Sequence, residues 1–143
     1  MLVAAIEART DLHDIEFVSF VTTAAVGRTG GRPRTRHRVF FVGSDLVGLE
    51  SERLDYVPVS LEDVPLLLAS GRLPIDVALL QVSPPDAHGY VSLGVSVDLA
   101  PAVLEVARLA VAAVNPAMPR SQGDSLVRAD RFDALVEVDA PLG

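Results

Sequence analysis

One apolar segment followed by a stiff connection limits the folds open to this chain. Residues Ile75–Val82 are apolar at almost every position, and the sequence continues Ser83-Pro-Pro-Asp-Ala-His-Gly-Tyr-Val-Ser-Leu-Gly-Val-Ser96. A strand without polar alternation is typical of a parallel sheet covered by helices on both faces. The two prolines fix their own φ angles and favour extended backbone before them, so this connection is stiff. Open α/β proteins bind ligands at this carboxyl edge of their strands.

Composition favours the same fold class. Half of the 143 residues are hydrophobic but only 5% are aromatic, so the core consists mainly of aliphatic side chains. We therefore predict an α/β fold, with an open three-layer α/β/α arrangement and a mostly parallel sheet. A chain of this length buries about two-thirds of its unfolded surface, so we expect residues 1–143 to form a single domain.

Alternating helical and extended patterns predict crossover units, in which a helix joins two parallel strands. A serine and an acidic residue three positions apart, in Ser60-Leu-Glu-Asp63, predict a helix start. The predicted elements, in chain order, are a helix over Leu2–Arg9, a strand over Ile15–Val21, an irregular segment over Thr22–Arg38, a candidate helix over Asp45–Arg53, a strand over Leu54–Pro58, a helix from Ser60 to Gly71, a strand over Ile75–Val82, a helix over Val97–Leu109, and strands over Val111–Val114 and Ala134–Val138.

Net charge and cysteine content exclude several classes of function. The net charge of −7 argues against nucleic acid or an anionic membrane surface as the main partner. No apolar run approaches the roughly 20 residues that cross a bilayer. The first residues lack the basic segment of a signal peptide, so we expect a cytoplasmic protein. With no cysteine, the chain has no disulfides, thiolate metal sites or cysteine nucleophiles.

The first connection, Ser83–Ser96, is the strongest candidate for a functional edge. Asp86 can accept hydrogen bonds from nearby amides, as acidic residues do in turns. Gly89 and Gly94 can adopt backbone angles closed to other residues, or allow a ligand to approach closely. The residues themselves leave two interpretations open: a ligand-binding edge, or a rigid link in which Asp86 only stabilises its own backbone.

The second connection, Asn115-Pro-Ala-Met-Pro-Arg-Ser-Gln-Gly-Asp-Ser125, also follows a predicted strand. Its prolines and Gly123 again restrict the backbone. Arg120 can bind a phosphate or a carboxylate through two parallel hydrogen bonds. It can equally pair with a nearby acid such as Asp124 and hold the connection in place, and both interpretations stay open.

The remaining polar patterns favour ordinary structural roles. Arginines are frequent in the irregular segment, and we interpret that segment as a flexible, solvated, glycine-rich loop rather than a phosphate site. No metal-binding spacing links the histidines. The sequence also has no Gly-x-Ser-x-Gly elbow and no phosphate-binding loop ending in Gly-Lys-Ser/Thr. These arginines and histidines are Arg28, Arg32, Arg34, Arg36, Arg38, His13, His37 and His88.

The combination of motifs resembles the amino-terminal domain of the acetyl-CoA hydrolase/transferase family, which includes 4-hydroxybutyrate CoA-transferases. The resemblance extends from about Leu46 to Leu142. Together its motifs are specific, although no single one is. They are the two connections, Asp55-Tyr-Val-Pro58, Ala69-Ser-Gly71, Pro74-Ile-Asp-Val-Ala-Leu-Leu-Gln-Val82 and Phe132-Asp-Ala-Leu-Val-Glu-Val-Asp-Ala-Pro-Leu142.

The resemblance implies a reaction and places its nucleophile in the second half of the enzyme. Family members transfer CoA between an acyl-CoA and a carboxylate, or to water, through a glutamate in their second half that becomes a thioester. We expect that half beyond Gly143, in the same protein or a separate subunit, and hence no catalytic residue here. We also expect no metal and no tightly bound cofactor. None of the seven glutamates has the nucleophile's context: Glu7, Glu16, Glu50, Glu52, Glu62, Glu105 and Glu137.

The resemblance also implies which residues line an acyl-CoA cleft. The expected ligands are an acyl-CoA and a small carboxylate. Because only 22% of the residues are charged and the second half is expected to cover this domain, we also expect an exposed apolar patch beside the two connections, and a twofold homodimer that buries it. A non-catalytic binding or assembly module with the same fold is the alternative, whereas the first connection disfavours a sugar-phosphate isomerase. The predicted cleft residues are Ser83, Pro84, Asp86, Gly89, Tyr90, Gly94, Asn115, Arg120 and Gly123.

Overall fold

A computed structural model describes residues 2–20, 35–41, 54–95 and 97–142 of the chain. By its internal contacts the chain divides into two compact units, residues 1–59 together with Gly143, and residues 60–142. Each unit is described by itself. The expected single domain stays a prediction, and the candidate helix over 45–53 lies outside the described residues.

Among its described residues, the first unit contains one helix and a three-stranded parallel sheet. The elements are helix α1 (Leu2–Glu7) and strands β1 (Ile15–Ser19), β2 (Thr35–Val39) and β3 (Leu54–Tyr56), in the sheet order β1-β2-β3. The central strand aligns His37 with Phe17 and with Leu54. Rings of Phe17 and His37 stack, with centroids 5.4 Å apart.

The expectation of an irregular segment as far as Arg38 was wrong at its end. Strand β2 has the alternation of a half-buried strand: Thr35, His37 and Val39 are buried, while Arg36 and Arg38 point to the other face. Arg38 pairs there with Glu16 of β1, at 2.9 Å between Nη2 and Oε1. The many arginines in this segment obscured an alternation of buried and exposed residues, which is typical of a strand with one buried face. The segment's residues 22–34 lie outside the described part.

The second unit is built on a parallel sheet of order β4-β6-β8. Its elements are a 3₁₀ turn (Leu61–Asp63), helix α2 (Val64–Ala69), strands β4 (Val77–Val82) and β5 (Tyr90–Ser92), helix α3 (Ala100–Val106), and strands β6 (Leu109–Val114), β7 (Leu126–Arg128) and β8 (Ala134–Glu137). The core lies between the sheet, α3 and β5, and includes Ala78, Val82, Val91, Leu104 and Ala112. The predicted α/β class with parallel sheets is confirmed.

Strand β6 is more buried than β4, although β4 has the nearly unbroken apolar run. Strand β6 pairs with β4 on one side and with β8 on the other, so Ala112, Ala113 and Val114 are all buried. Strand β4 has one sheet neighbour among the described strands, and its first residue, Val77, is 46% exposed. Position in the sheet therefore outweighs local hydrophobicity.

Two predicted helices begin later than expected. Ser60 Oγ donates to the Asp63 carboxylate at 2.5 Å instead of capping an amide, and a 3₁₀ turn precedes α2. In α2 and in α3 a proline occupies the first turn, Pro65 and Pro101 respectively. Proline has no amide hydrogen, and the first turn of a helix is where that absence costs least.

A short antiparallel ribbon was missed by the sequence analysis. Strand β5 lies inside the first connection and pairs with β7, so that Val91 lies opposite Val127. The ribbon places Ser92 at the end of β5, with no exposed surface. A three-residue strand inside a proline-containing and glycine-containing connection has too short a pattern to be recognised by alternation.

Candidate functional site

The two connections begin side by side at the carboxyl edge of the second unit's sheet. Val82, the last residue of β4, is aligned with Val114, the last residue of β6. The Asn115 amide donates to the Val82 carbonyl oxygen at 2.9 Å, which continues the ladder one step beyond the strands. Ser83 and Asn115 are both buried at this point. Parallel pairing alone therefore brings the two predicted segments together.

Asp86 organises a tight turn in the first connection. Its Oδ1 accepts hydrogen bonds from the amides of His88 and Tyr90, both at 2.9 Å. Gly89 has φ +80°, which the turn requires and which favours glycine. The Tyr90 amide is the main cause that lowers the pKa of Asp86, with help from the His88 amide and the charges of Arg120 and His88, against partial burial. The carboxylate thus stabilises its own backbone, as one interpretation predicted.

Arg120 crosses from the second connection to the first. Its Nη2 lies 2.6 Å from Asp86 Oδ2. Its Nη1 donates to Ser83 Oγ at 3.3 Å and to the carbonyl oxygens of Pro84 and Tyr90, both at 3.2 Å. The expected acid partner is thus Asp86 rather than Asp124, because sheet order places the first connection next to Arg120. Four protein oxygens already occupy the guanidinium.

A buried hydroxyl forms the second link between the connections. Ser92 Oγ accepts the amides of Gly94 and Ser121, each at 3.1 Å, and donates to the Ser121 carbonyl oxygen at 3.1 Å. Ser121 Oγ in turn donates to the Gly94 carbonyl oxygen at 2.8 Å. The Ser92 amide donates to Ser83 Oγ at 2.9 Å. One hydroxyl therefore joins strand β5, the turn at Gly94 and the second connection.

Gly94 is required by space as well as by conformation. Its φ is +66°, and a Cβ atom at this position would lie 2.0 Å from Met118 Sδ and 3.1 Å from the Pro119 carbonyl oxygen. Met118 is buried against it. A side chain here would push the two connections apart.

The other predicted residues have local roles. Asn115 Nδ2 donates to the Ala140 carbonyl oxygen at 2.9 Å, and its Oδ1 accepts the Ala117 amide at 3.0 Å. It therefore fastens the segment after β8 to the end of β6. Gly123, at φ +78°, opens a 3₁₀ turn, and a Cβ atom there would contact nothing.

The structure thus assembles part of the predicted set and adds residues that were missed. Ser83, Pro84, Asp86, Tyr90 and Arg120 share one hydrogen-bonded network. The missed residues are Ser92, Ser121, Ser125 and Met118. Recurrent serines in two connections that follow neighbouring strands were the available signal, but serine is too common in turns to be singled out.

The network consists of hydroxyls, backbone groups and one ion pair. Its serines bond to amides, carbonyl oxygens, each other and Arg120, and in the described part of the chain none bonds to a histidine or carboxylate that could act as its base. The described residues contain no group of three metal-ligating side chains. Over the same residues, the helices are too short to span a bilayer.

Comparison with known proteins identifies the pattern. Residues 1–141 match the acetyl-CoA hydrolase/transferase N-terminal domain. The chain is 43% identical to the 4-hydroxybutyrate coenzyme A transferase of Clostridium kluyveri over 116 residues, 80% of this chain and 27% of that protein. It is 38% identical to the succinyl-CoA:acetate/propanoyl-CoA:succinate CoA transferase of Fasciola hepatica over 118 residues, 82% of this chain and 25% of that protein. The chain spans about a quarter of each relative's length.

Solved structures agree with the sequence matches. RipA from Yersinia pestis superposes with a TM-score of 0.86 at 32% identity, over 98% of this chain and 35% of RipA. A 4-hydroxybutyrate CoA-transferase from Porphyromonas gingivalis superposes with a TM-score of 0.69 at 28% identity, over 98% of this chain and 38% of that one. The fold predicted from the motifs is therefore the fold of these proteins.

Proposed function

The chain belongs to the acetyl-CoA hydrolase/transferase family, and on that premise we propose that it forms one wall of an acyl-CoA cleft in a CoA-transferase or acyl-CoA hydrolase. The observation that supports this most directly is the joining of two connections at the carboxyl edge of β4 and β6 by Arg120. Ligands of open α/β proteins bind at such an edge. The two curated relatives are both named as CoA transferases.

In this proposal the wall shapes the cleft more than it supplies charge. Asp86 and Arg120 neutralise each other, and three further oxygens occupy the guanidinium. The exposed residues of the two connections include the uncharged Pro84, Pro119 and Val95 as well as the ionisable His88 and Asp124. An edge that is already ordered loses little conformational entropy when a ligand binds, so even a few contacts can contribute to affinity.

The nucleophile in this proposal comes from another part of the enzyme, in the same protein or a second subunit. Among the described glutamates, Glu16 pairs with Arg38 and Glu105 with Arg131, and none bonds to the network around Arg120. We therefore expect no release of free thiol from acetyl-CoA by the 143-residue chain, and no CoA adduct by intact mass. Turnover with an adduct on any glutamate would contradict this assignment.

Calorimetric titration of acetyl-CoA tests the cleft itself. Weak binding is expected for the parent chain, and Arg120→Ala and Gly89→Val should weaken it further because both loosen the first connection. Arg108→Ala is the matched control, since Arg108 pairs with Asp76 at the opposite end of the same strands. Equal affinities for all variants, or no binding by the parent at millimolar acetyl-CoA, would contradict the proposed cleft.

The alternative, a non-catalytic binding or assembly module, is favoured by one observation. Arg120 bonds to four protein oxygens through Nη1 and Nη2, as expected of a residue that only holds two connections together. Such a module would bind no acetyl-CoA in the same titration and would leave Arg120→Ala with a defect in stability alone. That pattern of results would favour the module over the cleft.

The homodimer and the cytoplasmic location remain predictions. We expected an exposed apolar patch beside the two connections, but of the exposed large apolar side chains in the described residues only Val95 lies in either connection. Others lie elsewhere in the second unit, including Leu135 and Val136 of β8. Light scattering coupled to size exclusion tests the dimer, and a single species of 15.2 kDa at all concentrations would contradict it.

A further inference from the structure

We propose that Ser92 is a positioning residue of this edge: its buried hydroxyl holds the Ser121 amide, and thereby the neighbouring Arg120 guanidinium, where it meets Asp86. Protein groups occupy every hydrogen-bonding position of the Ser92 hydroxyl. Two amides fill its acceptor sites, and its single hydrogen has two acceptors within reach, the Ser121 carbonyl oxygen at 3.1 Å and Ser121 Oγ at 3.2 Å. Calling the edge a ligand wall rests on the proposed function, whereas the positional role of Ser92 does not.

The Ser92 hydroxyl is linked to Arg120 by one short path, and the Ser92 backbone amide by a second that Ser92→Ala retains. On one path, Ser92 Oγ accepts the amide of Ser121, the residue that directly follows Arg120. On the other, the Ser92 amide and Arg120 Nη1 both donate to Ser83 Oγ, at 2.9 and 3.3 Å. The hydroxyl has no exposed surface, so water cannot replace it without a rearrangement of the connections.

A neighbouring serine provides a matched control. Ser125 is also buried, and its Oγ lies 3.4 Å from Ser92 Oγ while donating to the Gln122 carbonyl oxygen at 3.3 Å. It accepts no bond from Ser121 or Gly94. Ser125→Ala therefore removes a hydroxyl of similar burial without releasing the residue next to Arg120. Any effect specific to Ser92 must exceed the effect of this substitution.

The titration of Asp86 reports whether Arg120 stays in place. The charged groups that face the carboxylate are Arg120 and His88, and the His88 charge is common to every variant. NMR of ¹³C-labelled aspartate carboxyls, assigned with Asp86→Asn, gives the pKa in the full 143-residue chain. The pKa of Asp86 in Arg120→Ala gives the shift that is expected when the guanidinium is lost completely.

Ser92→Ala should raise the pKa of Asp86 in the same direction as Arg120→Ala and by less, while Ser125→Ala should leave it unchanged. A hydroxyl that served stability alone would lower the unfolding midpoint without moving this pKa, and that result in folded Ser92→Ala would overturn the proposal. If Ser92→Ala does not fold, Ser92→Cys keeps a side-chain donor and a weaker acceptor in a somewhat larger side chain, and should raise the pKa of Asp86 by less than Arg120→Ala does.

Binding of acetyl-CoA to the same variants separates this proposal from the proposed function. If the parent chain binds acetyl-CoA, Ser92→Ala should weaken binding more than Ser125→Ala does. If the parent does not bind, the ligand wall is contradicted, yet the Asp86 titration still decides the role of Ser92. Equal pKa values in parent and Ser92→Ala would reject the role of Ser92 whatever the binding result.

Discussion

The Ser92 hydroxyl and the Asp86–Arg120 pair join the same two connections by opposite physical means. The first is neutral and fully buried, whereas the side chains of the second are 31% and 32% exposed. A partly exposed ion pair gains little because water already solvates both charges. A buried hydroxyl that satisfies two amides cannot be removed without leaving them unpaired. We infer that the neutral contact determines the spacing of the connections and the charged pair follows it.

The largest effect should come from a substitution that disturbs both links at once. Gly94→Ala places a methyl group against Met118 at a positive φ, so we expect a loss of about 3 kcal/mol of unfolding free energy, from combined overpacking and backbone strain. Urea denaturation measures it. Gly71→Ala is the control, because Gly71 has φ +71° but open space around it. Equal losses for both would show that packing at Gly94 is unimportant.

Ser92→Ala should cause the second-largest loss of unfolding free energy. The amides of Gly94 and Ser121 would lose their acceptor in a buried site, for an expected loss of about 2 kcal/mol. The same denaturation experiment on Ser70→Ala, an exposed serine that bonds only to local backbone, should show a change within about 0.5 kcal/mol. If Ser92→Ala and Ser70→Ala lose the same free energy of unfolding, the inferred difference between the buried hydroxyl and the Asp86–Arg120 ion pair is wrong.

The Asp86–Arg120 ion pair should contribute less to the free energy of unfolding than the Ser92 hydroxyl does, and only where the Asp86 carboxylate is ionised. Because the pKa of Asp86 is lowered in the folded chain, chiefly by the Tyr90 amide, its carboxylate stabilises the fold above its ordinary pKa of about 3.9. That contribution is lost as the pH falls through the folded value. The difference in stability between parent and Asp86→Asn should therefore be constant from pH 5 to 7 and shrink below about pH 4. A difference that grows in acid would contradict this sign.

The smallest effect on stability should come from a largely exposed ion pair. Arg9 and Asp11 form a close ion pair with side chains 62% and 58% exposed, and the pKa of Asp11 is lowered to about 2 by that hydrogen bond first of all. Solvent screening leaves such pairs with little net effect on stability. Arg9→Ala should leave the unfolding midpoint at pH 7 unchanged within error, and so provides a baseline for the Asp86–Arg120 pair. A loss as large as that of Arg120→Ala would remove the distinction between partly buried and exposed pairs.

Local patterns in the sequence determined much of this protein. Apolar runs predicted strands β4 and β6, and their parallel pairing followed from the alternation with helices. Motifs in the two connections identified the family. The cleft residues are still a prediction, although five of them do lie in one network. These features depend on residues close together in the chain, so they can be recognised without coordinates.

Tertiary structure alone decided which side chains meet. Arg120 binds Asp86, 34 positions earlier, and not the nearby Asp124, because sheet order places the ends of β4 and β6 side by side. The same pairing places the buried Ser92 hydroxyl where it accepts the Ser121 amide of the second connection. Composition and spacing describe which bonds each residue can form, but packing decides which partners come within hydrogen-bonding distance of a polar group.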